Sequence, residues 1–361
     1  MRAPHNKVYR LSAEPIPVGS SLRRLPLVTL YLTERCNSRC VTCDYWRHGR
    51  VDLDLASVTR LLPALRRLDT RLVLLSGGEP LLNPQWREIA ELLRHSGLSL
   101  WLLTSGLSLA KHARAAAGLF QAITVSLDGT NPATYAKIRG LDAFDKVCEG
   151  IRAAVAAGAR VSVRVTLQRS NFRELPAFVD LTRSLGAHQV SFLAVDVGNP
   201  HAFARTDDFT RDLALSAEDL PVFEALISRL EEEHREAFRS RFIAEDPGKL
   251  RRILRYFAGV LGQGAFPEVR CNAPQFSAVI GADGHVQPCF FIPGPPEQGG
   301  AQPLESVLNG AAMSGLREDI RQRRRPECAR CVCSMWRDPD TFDAPDFPRA
   351  LVQPRAEVVP A

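Results

Sequence analysis

VTLYLTERCNSRCVTC, residues 28–43, runs from an apolar β-rich stretch straight into three cysteines spaced C-x3-C-x2-C. Val28–Thr33 is rich in β-branched and aromatic residues and reads as a strand buried on both faces; the polar turn after it reads as the loop at its C-terminal end. The same unit recurs downstream. Strands are expected over Leu72–Ser76, Leu98–Thr104, Ala122–Leu127, Val161–Leu167 and Gln189–Ala194. Helical periodicity falls between them over Ser57–Leu68, Pro84–His95, Leu107–Gly118, Phe144–Gly158 and Leu175–Leu185. Gly97, Gly118, Gly158 and Gly186 stand where helices are expected to stop.

Apolar strands that alternate with helices build a parallel sheet covered by helices. Six such units fall short of the eight of a closed barrel, so the expectation is an α/β fold, a partial (β/α)6 barrel. Ligands bind at the C-terminal ends of the strands in such folds. The cysteine loop, Gly77-Gly78-Glu79-Pro80 after the second strand and Asp128 after the fourth would therefore share one rim.

After the sixth strand, residues 216–256 read as charged helix, and glycine and proline then become frequent. A hairpin is expected from FSAVI, GADGH and VQPCFF, with Asp283-Gly284 in the turn. The expected organisation is a lead-in over 1–24, the barrel over 25–245, a small cysteine-rich domain over 260–340 and a proline-rich tail over 341–361.

The chain has 361 residues, 45% of them hydrophobic and 24% charged, as in soluble globular proteins. No apolar run reaches the ~18–20 residues of a membrane span, and the N-terminus has no signal-like apolar stretch. A cytoplasmic location and no membrane partner are expected. Net charge is +6, with the densest run at Arg321–Arg325. Without aromatic interleaving or a nucleic-acid module signature, this run reads as the solvated end of a helix rather than a nucleic-acid contact.

Eight of the nine cysteines fall in two groups, at 36–43 and 271–333, and Cys148 stands alone as a small apolar residue of a helix. Grouped cysteines in a reducing compartment point to metal. Cys36, Cys40 and Cys43 supply one thiolate fewer than a closed zinc or [4Fe–4S] site needs. A [4Fe–4S] cluster held this way keeps one iron open for the amino and carboxylate groups of S-adenosylmethionine. Its electron can then break a carbon–sulfur bond and release an adenosyl radical, chemistry that belongs to the cofactor. The alternative is zinc with His48 as fourth ligand. In the second group Cys271, Cys289, Cys328 and Cys331 supply four thiolates, enough to close a zinc or iron–sulfur site. Cys333 is a spare thiol or an alternative ligand to Cys331.

YLTERCNSRCVTC, LLSGGEP and VSLDG, in this order, resemble the radical S-adenosylmethionine (radical SAM) superfamily from about Leu25 to Phe242. The resemblance implies that Gly77, Gly78 and Glu79 meet the methionine amino group. It places Ser126 and Asp128 near the ribose or the methionine moiety and Arg164 near the carboxylate. Thr42 stands where the family usually has an aromatic residue, and Thr104-Ser105-Gly106 where Thr-Asn-Gly is commoner. C-x12-G-x4-C followed by C-x2-C, from about Val269 to Trp336, is similar to SPASM and shorter twitch extensions. It implies one auxiliary [4Fe–4S] cluster, whose full cysteine ligation suits it to accept an electron.

The expected activity is reductive cleavage of S-adenosylmethionine and abstraction of a hydrogen atom, with oxidation or rearrangement of a small polar, sugar- or aminocyclitol-like metabolite. The resemblance also implies an electron donor such as flavodoxin or ferredoxin. The alternatives are a maturase of a ribosomally made peptide, against which counts the short stretch before the first strand, and a non-catalytic iron–sulfur or zinc protein. Asp196 and His201 are candidate acid–base groups, though a surface turn accounts for both.

Overall fold

The first strand, β1, is Leu27–Thr33, and its side chains are buried except for a half-buried Tyr31. It is followed by β2 (Leu72–Gly77), β3 (Ser99–Thr104), β4 (Ala122–Ser126), β5 (Val161–Leu167) and β6 (Gln189–Ala194). These strands pair in parallel, each with the next in the sequence. The computed structural model describes residues 21–199, 201–205, 212–296, 302–333 and 335–338. Helices cover the sheet between the strands, giving the partial α/β barrel expected. Along β5, Val161, Val163, Val165 and Leu167 are buried, whereas Ser162, Arg164 and Thr166 alternate with them on the opposite face.

The hairpin forms as β7 (Ser277–Ile280) and β8 (Val286–Gln287), with Gly284 at φ +83° in its turn. It does not stand apart from the barrel. β7 runs parallel to β1, with Thr29 opposite Val279, so one sheet has the order β6-β5-β4-β3-β2-β1-β7-β8. The pairing covers an edge of β1 that would otherwise expose unpaired backbone groups.

Besides the four-residue turns Tyr45–His48 and Pro326–Ala329, the sequence reading omitted the helix Pro132–Arg139. Asn131 caps it by accepting from the Thr134 amide at 3.0 Å, Pro132 opens it, and Gly140 ends it at φ +72°. Gly118, expected to stop a helix, lies inside Leu109–Leu119, where the alanine-rich turn keeps helical geometry as far as Leu119 before Phe120 turns extended. The charged stretch 216–256 resolves into Asp219–Glu233, Arg235–Arg239 and Pro247–Val260. Farther on, Gly310 separates Leu304–Asn309 from Ala311–Arg321.

Arg321, Arg323, Arg324 and Arg325 each face a carboxylate, those of Glu318, Glu268, Asp319 and Glu327 respectively. The basic run is therefore largely neutralised within the fold. Cys148 is 3% exposed in the core beside Val147 and Ile151. The tail 341–361, most of the lead-in and the His48 side chain lie outside the described residues.

Candidate functional site

The loop after β1 carries Cys36, Cys40 and Cys43, and three neighbouring segments hold its backbone. The first is Gly77-Gly78-Glu79. The Gly78 amide donates to Thr33 O at 2.8 Å and the Glu79 amide to Arg35 O at 2.8 Å. A Cβ on Gly78 would lie 2.2 Å from Arg35 O, and one on Gly77, at φ +120°, would lie 2.3 Å from Thr33 O. The close approach these glycines permit is thus to the cysteine loop itself.

The second segment is the end of the omitted helix, where the Arg39 and Val41 amides donate to Arg139 O and Ile138 O at 2.9 and 3.0 Å. The third is the loop after β6. There the Asp44 amide donates to Phe203 O at 2.9 Å, and Arg205 donates through Nε to Thr42 O at 3.1 Å. At the loop's base, Arg35 grips Asp52 with Nε at 3.1 Å and Nη2 at 2.6 Å, and Nη2 also reaches Leu82 O at 2.9 Å.

Glu79 is fully buried and its carboxylate has four protein donors. Oε1 accepts from the Leu81 amide at 3.2 Å and Thr104 Oγ1 at 2.8 Å. Oε2 accepts from the amide and the hydroxyl of Ser105, each at 2.6 Å. Burial raises the Glu79 pKa, and the Ser105 and Thr104 bonds oppose the rise. The Thr104-Ser105 departure from the commoner motif therefore has a use, since Ser105 ties the end of β3 to Glu79.

Asp128 is 3% exposed and lies 2.9 Å from Arg139 Nε through Oδ2, while Oδ1 accepts from the Thr166 amide at 2.6 Å. Its carboxylate is committed to the fold between β4, β5 and the omitted helix. Ser126 sits directly across the ladder from Arg164. The buried Nε of Arg164 has no hydrogen-bond partner among the described residues, as a group awaiting an anion would.

Burial, reinforced by charge from neighbouring Cys40, pushes the Cys36 and Cys43 thiols up to about 11 and about 12. Such thiols stay protonated at neutral pH until a bound metal displaces the protons. Among the described residues no three His, Cys, Asp or Glu side chains converge to hold one metal ion; a four-iron cluster instead takes its thiolates on separate irons. Three half-buried thiols on one loop fit a cluster that leaves one iron to an amino-acid cofactor, while the charge of Arg164, whose Nε is unpaired among the described residues, lies near Cys333 of the second group.

The second group closes on itself. Cys271, Cys289, Cys328, Cys331 and Cys333 all line one cavity, whose wall is otherwise largely apolar and includes Phe291, Ile292 and Met335. Asn272 pins its two ends. Its amide donates to Met335 O at 3.0 Å, its Nδ2 to Arg337 O at 2.7 Å, and its Oδ1 accepts from the Arg337 amide at 2.9 Å. Burial pushes the Cys289 thiol up to about 12 and Cys328 to about 11, and raises Cys331 and Cys333 too.

A single strap touches both groups. Within 196–205, Asn199 Nδ2 donates to Phe291 O at 2.7 Å, two residues from Cys289, and Phe203 and Arg205 meet the first cysteine loop. Asp196 builds the turn of this strap, its Oδ1 accepting from the Gly198 and Asn199 amides at 2.9 Å. His201 lies on its surface, with Nε2 4.0 Å from Glu327.

Sequence reasoning missed Arg139, Ser105, Asn199 and Arg205. Asn131-Pro132 followed by Gly140 was a usable signal for the helix that carries Arg139. Ser105 stood out in the sequence as a departure from the commoner motif, without its role, and nothing local marked Asn199 or Arg205.

Comparison with known proteins agrees with this layout. The Radical SAM superfamily profile matches residues 30–182, and the SPASM iron–sulfur cluster-binding domain profile matches residues 271–332. A GTP 3′,8-cyclase of Erythrobacter litoralis is 30% identical over 244 residues, 63% of this chain and 71% of that protein. A second, from Shewanella denitrificans, is 31% identical over 48% of this chain and 52% of its own length. This chain thus spans about half to 71% of these relatives. Among solved structures, Streptococcus suis SuiB bound to precursor peptide SuiA superposes with TM-score 0.61 at 12% identity, over 82% of this chain and 67% of that one. The enzyme anSMEcpe with AdoMet and a peptide bound superposes with TM-score 0.59 at 18% identity, over 91% and 98%. The chain belongs to the radical SAM superfamily, whose enzymes work with a [4Fe–4S] cluster and S-adenosylmethionine, and it carries a C-terminal SPASM iron–sulfur domain.

Proposed function

We propose that Cys36, Cys40 and Cys43 hold the cluster at which S-adenosylmethionine is cleaved, and that the substrate losing a hydrogen atom is a small polar metabolite, sugar- or aminocyclitol-like. The observation that carries the first half is the loop of three half-buried thiols fastened to Gly77-Gly78-Glu79 at the C-terminal end of the sheet. When bound, the cluster supplies the electron that splits the sulfonium. The residues around it position the cofactor. Arg164, with its unpaired Nε, takes the methionine carboxylate, and Ser126 beside it faces the same cofactor. Backbone groups of Gly77 and Gly78 line the amino-group side, while Glu79 and Asp128 act through the elements they fasten.

Cys271, Cys289, Cys328 and Cys331 would hold a second cluster, which would supply an acceptor for the substrate electron. Largely apolar side chains wall the cavity that these four cysteines share. The names of the relatives, cyclases of a nucleotide, support a small polar substrate. The donor of the first electron is a flavodoxin or ferredoxin. Anaerobically reconstituted protein should bind about eight irons and eight sulfides and release 5′-deoxyadenosine when reduced. A protein that carries iron but releases none is the non-catalytic alternative.

A peptide substrate is the second reading, favoured by the fold shared with SuiB and anSMEcpe, both solved with peptides. Mass spectrometry of metabolite and precursor-peptide pools incubated with the reduced enzyme separates the two. A mass change confined to peptide overturns the small-molecule reading.

A further inference from the structure

Arg139 closes the helix that backs the first cysteine loop, and its guanidinium spans two partners. Nη1 donates to Cys40 Sγ at 3.4 Å, and Nε lies 2.9 Å from Asp128 Oδ2. The geometry is held from both sides. The Arg139 side chain is 12% exposed and that of Asp128 4%. Asp128 is itself fixed by the Thr166 amide, and Asn171 Nδ2 donates to Asp128 O at 3.0 Å. Gly140 follows at φ +72°, where a Cβ would lie 2.2 Å from Arg39 O, so the helix end and the cysteine loop are in backbone contact. A rigid fork that meets a carboxylate and a thiolate at once is a geometry only arginine offers among the cations.

We propose that Arg139 is a positioning residue that sets the reduction potential of the cluster on Cys36, Cys40 and Cys43, and that Asp128 limits its effect. This rests on the cysteine assignment proposed above. Reduction adds one negative charge to the cluster and its thiolates. A donor and positive charge at a ligand sulfur stabilise the reduced form and raise the potential, and a buried carboxylate on the other side of the same guanidinium offsets part of that charge. The two residues therefore act with opposite signs.

The test is a potentiometric titration of the reconstituted enzyme, followed by electron paramagnetic resonance on the signal that S-adenosylmethionine perturbs. In Arg139→Lys the single ammonium cannot serve both partners, stays with Asp128 and leaves Cys40. The potential should fall by about 59 mV, a tenfold change in a one-electron equilibrium. In Asp128→Asn the guanidinium is no longer offset, and the potential should rise. A purely structural role would move both variants the same way or neither. Either result overturns the proposal, as does loss of the first cluster's iron from both variants. Cys40→Ala, measured alongside, tests the assignment beneath it. If that variant keeps its full iron and the perturbed signal, the cysteine assignment itself has failed.

Discussion

The two cysteine groups are built on opposite plans. The first is a short loop whose backbone is tied down by the ends of other elements and whose thiols have guanidinium groups at hand. Arg139 Nη1 reaches Cys40, and the positive charge of Arg205 lies near Cys43. The second gathers five cysteines, from segments far apart in the chain, around a cavity with a largely apolar wall. A site that must admit a charged cofactor and an electron benefits from cations and a free coordination position. A site with thiolates to spare can close without a cofactor, although cations stand near it too, Arg325 by Cys328 and Arg164 and Lys249 by Cys333. The difference shows that ligand count and charge environment can be divided within one sheet, because β1 borders both the β2 side of the barrel and β7.

The largest effect that tests this contrast comes from removing the first group. Replacing Cys36, Cys40 and Cys43 with Ala should leave about four irons per chain and take 5′-deoxyadenosine below detection. If the variant still cleaves S-adenosylmethionine, the two groups have been assigned the wrong way round.

Replacing Cys271 and Cys289 with Ala should remove the other four irons and abolish product, while slow release of 5′-deoxyadenosine without substrate continues. Substrate deuterium should still enter 5′-deoxyadenosine if the second cluster only accepts an electron. If deuterium transfer also stops, the second group holds the substrate side together instead. A melting curve followed by circular dichroism accompanies this variant, because metal sites supply folding free energy to small domains.

Smaller effects sharpen the comparison at the level of bracing. Ser105→Ala removes one donor from a buried carboxylate and should cost about 2 kcal/mol in denaturant unfolding. No measurable loss would show that the remaining three donors suffice. Asn199→Ala unties the strap from Phe291 and should cost about 1 kcal/mol. Hydrogen exchange should quicken at residues 289–292 and remain slow at 36–43. Equal quickening at both would mean that the strap binds the two groups into one cooperative unit.

Much of this molecule was readable along the chain. The six barrel strands fell within a residue or so of their expected places, because a run such as VTLYLT has few other ways to bury itself. Pro132–Arg139 escaped because its periodicity is weak over eight residues and its capping signals are short. The hairpin was legible as a hairpin, but its docking on β1 was not, since strand pairing across a distance leaves no periodic trace.

By itself the sequence determined the order of elements, the two cysteine groups and the superfamily. These depend on local spacing, on how many thiolates a segment offers and on how often an apolar residue returns. Only the tertiary structure decided which side chains serve those thiolates. Arg139 meets Cys40 across 99 residues of chain, and Glu79 meets Ser105 across 26. The Gly77-Gly78 pair proved to press on the cysteine loop's own backbone. Such partnerships follow from how buried polar groups are satisfied after the strands have aligned, and hydrogen-bond satisfaction is a property of the packed whole.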